Sequence, residues 1–322
     1  MKSFKYTVAR SASSACELLG ENSLAFAGGT SLLNLMKEYV VQPEVLVDIK
    51  RIDGLNTIES SGGGLTIGAN VTLAEVIGNG VVREDYPALY DALHNTATPH
   101  IRNRGTIGGN LCARPACWYF SHEGFSCAKR GGTGCPAKDG ENEFHAIFDT
   151  AGPCVMVHSS SAAPALIALD AKVRIASPGG GSREVDAEKF FVSPSQNMER
   201  ESVLQANEIV THVVLGGGNA HSATYEVRQK ATHDWPIAMA SVALNQRFGV
   251  CQSARIALGA VAPVPRRATG AERRLVGNRI TESVAAAAAA AAVEGAAPLS
   301  QNGYKVSVAR TAVKRAILAA AG

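Results

Sequence analysis

The spacing of apolar positions predicts short alternating elements at the N-terminus. Ser11–Leu19 carries apolar residues at helical intervals. LAFAGGTSLLNLMKEYV reads as a strand, a glycine turn and a helix, and Glu44–Ile49 as a short apolar strand after Pro43. GLTIGANVTLAEVI repeats the strand–turn–helix order, with the Thr72 hydroxyl placed to cap the helix. Pro87–His94 predicts a further helix. The pattern then stops. From Ile101 to His158 the chain is dense in Gly, Cys and polar residues and keeps no period. A loop of that length inside a compact domain is usually functional.

Periodicity resumes with a helix at Ala163–Leu169 and a strand at Lys172–Ala176, and Ser177–Val185 reads as a hairpin turn. The glycines of Gly216–Asn219 mark a boundary between a domain over 1–218 and another over 219–322. Beyond it, SATYEVRQK, MASVALNQRF and Ala254–Val261 read as sheet strands or strand–helix pairs. Glu272–Val276, Glu282–Glu294 and Val306–Ala321 read as helices. Eight consecutive alanines begin at Ala285; alanine has the highest helix propensity, so this run predicts a packed helix rather than a low-complexity tail.

Length and composition narrow the class. A chain of 322 residues suggests two or three domains with cores large enough to need no disulfides. A net charge of +3, with no Lys/Arg run, argues against a nucleic-acid partner. No apolar stretch is long enough for a membrane span, and the N-terminus lacks the apolar core of a signal peptide. The expected compartment is the cytoplasm, or the periplasm by export together with a partner.

Two glycine loops carry candidate chemistry. Ala27-Gly28-Gly29-Thr30-Ser31-Leu32 follows an apolar strand and opens a helix, where free N–H groups and the helix dipole favour an anion. A tight strand-to-helix turn is the ordinary alternative. Gly105-Thr106-Ile107-Gly108-Gly109-Asn110 is a second glycine pair beside hydroxyl and amide groups. Together the two suggest a pyrophosphate held from both sides. Seven cysteines are present, and five of them (Cys112, Cys117, Cys127, Cys135 and Cys154) fall within 43 residues. Separations of ten, eight and nineteen residues from Cys117 through Cys127 and Cys135 to Cys154 fit neither paired CxxC zinc sites nor a bacterial ferredoxin run. Turn-rich intervening sequence still lets four thiolates converge on zinc or on an iron–sulfur cluster. Cys112 is a spare, and Cys16 and Cys251 read as core residues. His100, His122 and His145 lack i,i+4 spacing and read as structural or surface residues. There is no Ser-His-Asp set, no carboxylate pair and no metal-activated water motif.

AGGTSLLNLMK, RNRGTIGGNL and NGYKVSVARTAVKRA together resemble the flavin-binding medium subunit of the xanthine dehydrogenase family over essentially the whole chain. The resemblance implies an α+β architecture: an FAD-binding domain of two α/β subdomains, of the vanillyl-alcohol-oxidase type, followed by a smaller C-terminal α/β domain. It implies that Ala27–Leu32 and Gly105–Asn110 hold the FAD pyrophosphate. It also implies a large molybdopterin subunit and a small 2Fe-2S subunit as partners, and an external electron acceptor. The cysteine-bearing stretch, about 111–158, resembles a subset that includes 4-hydroxybenzoyl-CoA reductase and periplasmic aldehyde oxidoreductases, in which the insert holds a 4Fe-4S cluster. In the aldehyde type the last cysteine precedes a His-Pro-Ser-Asp segment; here that region is Cys154-Val-Met-Val-His158-Ser-Ser-Ser161. The implied ligands are thus Cys117, Cys127, Cys135 and Cys154. Ser161 stands where the family often has an acidic flavin contact, and Lys230 lies in a segment resembling the family's return to the flavin. A free-standing flavin oxidoreductase, and a nucleotide-binding module braced by a four-cysteine zinc, are the competing readings.

Overall fold

The computed structural model describes residues 1–231 and 233–322. The chain opens with β1 (Lys5–Val8), α1 (Ala12–Leu18), β2 (Ser23–Phe26), α2 (Leu32–Lys37) and β3 (Val45–Asp48). The three strands form a parallel sheet in the order β1-β3-β2. Parallel neighbours require crossovers, and α1 and α2 are those crossovers. The Ser11 hydroxyl accepts the Ser14 N–H and so closes the start of α1.

The next layer is larger. β4 (Ile58–Ser61) and β5 (Gly64–Gly68) make a hairpin, followed by α3 (Leu73–Gly78), α4 (Gly80–Asp85), α5 (Pro87–His94), α6 (Pro99–Arg102), α7 (Ile107–Leu111) and α8 (Trp118–Ser121). Thr72 caps α3 as expected: its hydroxyl accepts the Glu75 N–H, and the Glu75 carboxylate accepts the Thr72 N–H. After α9 (Ala162–Ala168) come β6 (Lys172–Ala176), β7 (Ser182–Asp186), α10 (Ala187–Phe190) and β8 (Ile209–Leu215). The hairpin expected at 177–185 is real, but its turn ends by Gly181 and β7 begins at Ser182. The sheet order is β4-β5-β8-β6-β7, and β8, which has no separate sequence signal, lies at its centre. α7 packs on β5 and β8, α5 packs on α3 and α9, and Leu73, Leu89, Leu93, Ile107 and Leu166 share one buried core with the sheet.

The C-terminal part is an antiparallel meander, β9 (Ser222–Arg228), β10 (Pro236–Arg247), β11 (Val250–Gly259) and the short β12 (Arg266–Arg267), packed with α11 (Thr269–Leu275), α12 (Glu282–Ala292) and α13 (Tyr304–Ala321). The alanine run is α12, and Ala285, Ala288, Ala289 and Ala292 are fully or almost fully buried where it packs against α11 and α13. These four sit at helical spacing, and their small side chains let neighbouring backbones approach closely. Among the described residues no helix is long and apolar enough to cross a membrane.

The irregular stretch ties the two parts together. Ile147 and Phe148 belong to the C-terminal core, and their N–H groups donate to the Val261 carbonyl at 2.9 and 3.2 Å. The buried Lys305, in the first turn of α13, donates to the carbonyls of Phe144, His145 and Ala260 at 2.8–2.9 Å. Asn302 donates to those of His145 and Ala146.

A flavin cavity beside a cysteine-bearing insert

The two glycine loops meet. A Cβ on Gly28 would stand 2.0 Å from the Arg104 carbonyl oxygen and 3.1 Å from the Gly105 Cα, so only glycine lets the loops touch. Gly29 has φ +76° and its own Cβ direction is closed by the Phe26 ring. Their contact forms one wall of a cavity of about 770 Å³, lined by the whole of 27–32 and by Gly105, Thr106, Gly108, Gly109, Asn110 and Ser161. Lys230 is different. It is exposed and absent from the lining, and its N–H donates to the Asp234 carboxylate. The segment expected to return to the cavity does so through His233, Asp234, Trp235 and Pro236 instead.

The loops differ in what they offer an anion. Among the described residues, the N–H groups of Gly28, Gly29, Thr30 and Ser31 donate to no protein acceptor. In the second loop the N–H groups are largely spent: Ile107 on Val71, Gly108 on Ala69, Gly109 on the Thr106 hydroxyl and Asn110 on the Thr106 carbonyl. Its role is geometric. Gly108 packs on Ala69, where a Cβ would come within 2.7 Å of the alanine side chain. The Asn110 side-chain oxygen accepts from the Ser160 hydroxyl at 2.7 Å and the Ala162 N–H at 3.1 Å, which fixes the start of α9. Ser161 lies there, almost fully buried at the cavity wall, with its hydroxyl uncommitted to a cap. Free donors on one wall, a glycine-lined approach on the other and a largely apolar remainder fit a dinucleotide such as FAD.

Glu226, on β9, is a lining residue that the sequence did not single out. Its side chain is 5% exposed, and burial pushes its carboxyl up to about 7. Arg228 lies 3.0 Å away but out of hydrogen-bond alignment, and its charge does not offset the burial. Its signal in the sequence was only an acidic residue on an alternating strand, which is indistinguishable from a solvent-facing position.

The cysteines lie against the same loop helix. Cys117 and Cys127 pack with Phe120 and with Leu35 of α2; Cys117 and Cys135 pack with Tyr119, Ala137 and Val155. Cys117, Cys127 and Cys135 each stand at the position just before a helical turn. The Phe120 N–H donates to the Cys117 carbonyl at 3.1 Å and the Ala146 N–H to the Val155 carbonyl at 2.9 Å, which fixes the backbone around these cysteines. Burial pushes the Cys117 thiol up to about 11. The neighbouring Cys154 thiol holds Cys135 below the usual thiol range, and the closeness of Cys135, with burial, raises Cys154. All seven cysteines are free of disulfides. Among the described residues no set of three or more His, Cys, Asp and Glu side chains is arranged to hold a single metal ion. Cys117, packed with Cys127 on one side and with Cys135 on the other, sits among the thiol donors that an iron–sulfur cluster takes. Burial, with the nearby Glu201 charge, pushes Cys112 up to about 12. Buried Lys129, following Cys127, anchors this region through Glu201 at 2.9 Å and the Met198 carbonyl at 2.7 Å. His145, read from the sequence as structural, has Nε2 3.2 Å from the Cys117 Sγ.

Residues 2–215 match the family model "FAD binding domain in molybdopterin dehydrogenase", and 223–320 match "CO dehydrogenase flavoprotein C-terminal domain". The chain is 35% identical over 285 residues to the aldehyde oxidoreductase FAD-binding subunit PaoB of Escherichia coli, covering 85% of this chain and 86% of that one. It is 31% identical to the carbon monoxide dehydrogenase medium chain of Hydrogenophaga pseudoflava, covering 98% and 96%. The solved structure of quinoline 2-oxidoreductase from Pseudomonas putida 86 superposes with a TM-score of 0.78 at 29% identity, covering 99% and 97%. The chain therefore belongs to the FAD-binding flavoprotein subunits of the molybdopterin dehydrogenases, and it is the FAD-carrying, electron-transferring subunit of a molybdenum hydroxylase.

Proposed function

We propose that this subunit grips the FAD pyrophosphate at the seam of the two glycine loops and carries a 4Fe-4S cluster of its own on Cys117, Cys127, Cys135 and Cys154. The partners in this reading are a large molybdopterin subunit that oxidises the substrate and a small subunit with 2Fe-2S clusters. Bound FAD supplies the conversion between one-electron and two-electron carriers. The residues of the chain do the rest. The N–H groups of 28–31 meet the phosphate charge, Gly28 and Gly108 bring the loops within reach, and the Ser161 hydroxyl offers a neutral hydrogen bond in place of a carboxylate. An external acceptor then receives the electrons. An aldehyde is the favoured substrate class of the partner, supported by the 35% identity to an aldehyde oxidoreductase subunit. The compartment follows the partner: cytoplasm, or periplasm if the assembled complex is exported.

The observation that carries the cluster is the placement of Cys117, Cys127 and Cys135 before helical turns, beside Cys154. Anaerobic purification with iron, sulfide and flavin analysis tests it. The expected result is FAD together with a 4Fe-4S stoichiometry in this chain, with Cys127→Ser and Cys154→Ser losing the iron and keeping the flavin. One zinc without sulfide, or full iron content in either variant, overturns it.

A further inference from the structure

We propose that His145 donates a hydrogen bond from Nε2 to the Cys117 sulfur and so raises the reduction potential of the cluster; it is a positioning residue acting through that ligand. The inference rests on the reading of Cys117 as a cluster ligand. Three observations place the ring there. Its Nε2 lies 3.2 Å from the Cys117 Sγ, within reach of an N–H···S bond. The ring is 3% exposed and wedged edge-on to Trp118, with centroids 5.1 Å apart and planes at 88°. The main chain of His145 is held from the opposite side, its carbonyl taking Lys305 Nζ at 2.9 Å and Asn302 Nδ2 at 3.1 Å. The helix α13 thereby sets the height of the imidazole over the sulfur.

The choice of tautomer follows from burial. Nδ1 is buried and has no partner among the described residues. A proton there would be a buried donor without an acceptor, whereas a proton on Nε2 meets the sulfur. With its Nε2–H directed at sulfur, the ring cannot give that nitrogen's lone pair to iron. The consequence is electrostatic. Reduction of a bound cluster would add one electron and place more negative charge on its sulfurs, with no atom transferred and no bond to His145 formed or broken. An N–H dipole aimed at a ligand sulfur stabilises the reduced form more than the oxidised one and lifts the potential.

The test is a redox titration of the anaerobically purified complex, followed by electron paramagnetic resonance, on wild type, His145→Ala and His145→Gln. His145→Ala is expected to keep its iron and sulfide and shift the cluster to lower potential, with the flavin potential unmoved. His145→Gln, which retains an N–H donor, is expected to recover part of the shift. An unmoved cluster potential in His145→Ala with full iron overturns the inference, as does loss of iron from that variant while Cys117 is intact, which marks a ligand. In case His145→Ala fails to fold, wild type labelled with nitrogen-15 histidine gives an independent reading: a weak hyperfine coupling supports the hydrogen bond, while a strong coupling or none overturns it. Absence of iron from the wild-type chain would instead defeat the cluster reading, and this inference with it.

Discussion

Gly28 touches the main chain of Arg104, with a Cβ on the glycine brought to 2.0 Å from the Arg104 carbonyl oxygen. The contact is backbone against backbone, so no side-chain rotation can relieve an added methyl. Gly28→Ala is expected to part the two loops, lower the flavin content and cost about 1–3 kcal/mol of stability. Visible absorbance of the purified subunit and its thermal midpoint check both. An alanine variant with full flavin and an unchanged midpoint would show that the loops do not depend on each other.

The buried carboxyl of Glu226 gives a pH dependence with a defined sign. Its folded value of about 7 lies above the unfolded value of 4.5, so the native state binds the extra proton between those limits. Stability of the flavin-depleted subunit is therefore present below about pH 4.5 and is lost as pH rises towards 7, by on the order of 3 kcal/mol. Glu226→Gln, neutral throughout, should flatten that part of the profile in urea titrations at stepped pH. A profile identical to wild type would rule out Glu226 as its source.

Lys305→Met keeps the length and bulk of the side chain but leaves the carbonyls of Phe144 and Ala260 without their ammonium donor, and His145 with Asn302 alone. Unpaired buried carbonyls cost about 1–3 kcal/mol each, which outweighs the desolvation saved by removing the charge. The expected loss is about 2–4 kcal/mol, with increased hydrogen exchange at 142–148 before the rest of the chain. Uniform protection across that segment in the variant would contradict the assignment of Lys305 as its clamp.

In the cluster-free chain the thiols should alkylate in a fixed order. Cys135, held below the usual thiol range by Cys154, forms its thiolate more readily than Cys112, which is pushed up to about 12. Brief iodoacetamide treatment followed by peptide mass spectrometry should label Cys135 first and Cys112 last. Equal labelling of the two would mean that Cys154 does not lower the Cys135 thiol.

Several elements were legible because one residue type decides each. Thr72 caps α3, Pro87 begins α5, and the alanine run folds as α12 with one buried face. The cavity wall was legible at 27–32 and 105–110 because glycine pairs beside hydroxyls have few uses other than close backbone approach. The orientation of Lys230 was not legible, because a position just past the end of β9 has no period; it is exposed and outside the cavity lining. His145 was invisible because its partner, Cys117, is 28 residues away and no helix or strand register links them.

The sequence by itself determined the glycine loops, the cysteine content of the insert, the helices with strong caps and the family of the chain. These depend on local backbone preference and on residue identity. Tertiary structure alone decided that β8 lies at the centre of its sheet, that the two loops close on one cavity, that Glu226 is buried in its wall, and that α13 holds His145 against Cys117. Each of these is a contact between residues far apart in the chain. Its energy comes from burial and from hydrogen bonds that exist only once the layers have packed, and no local pattern records them.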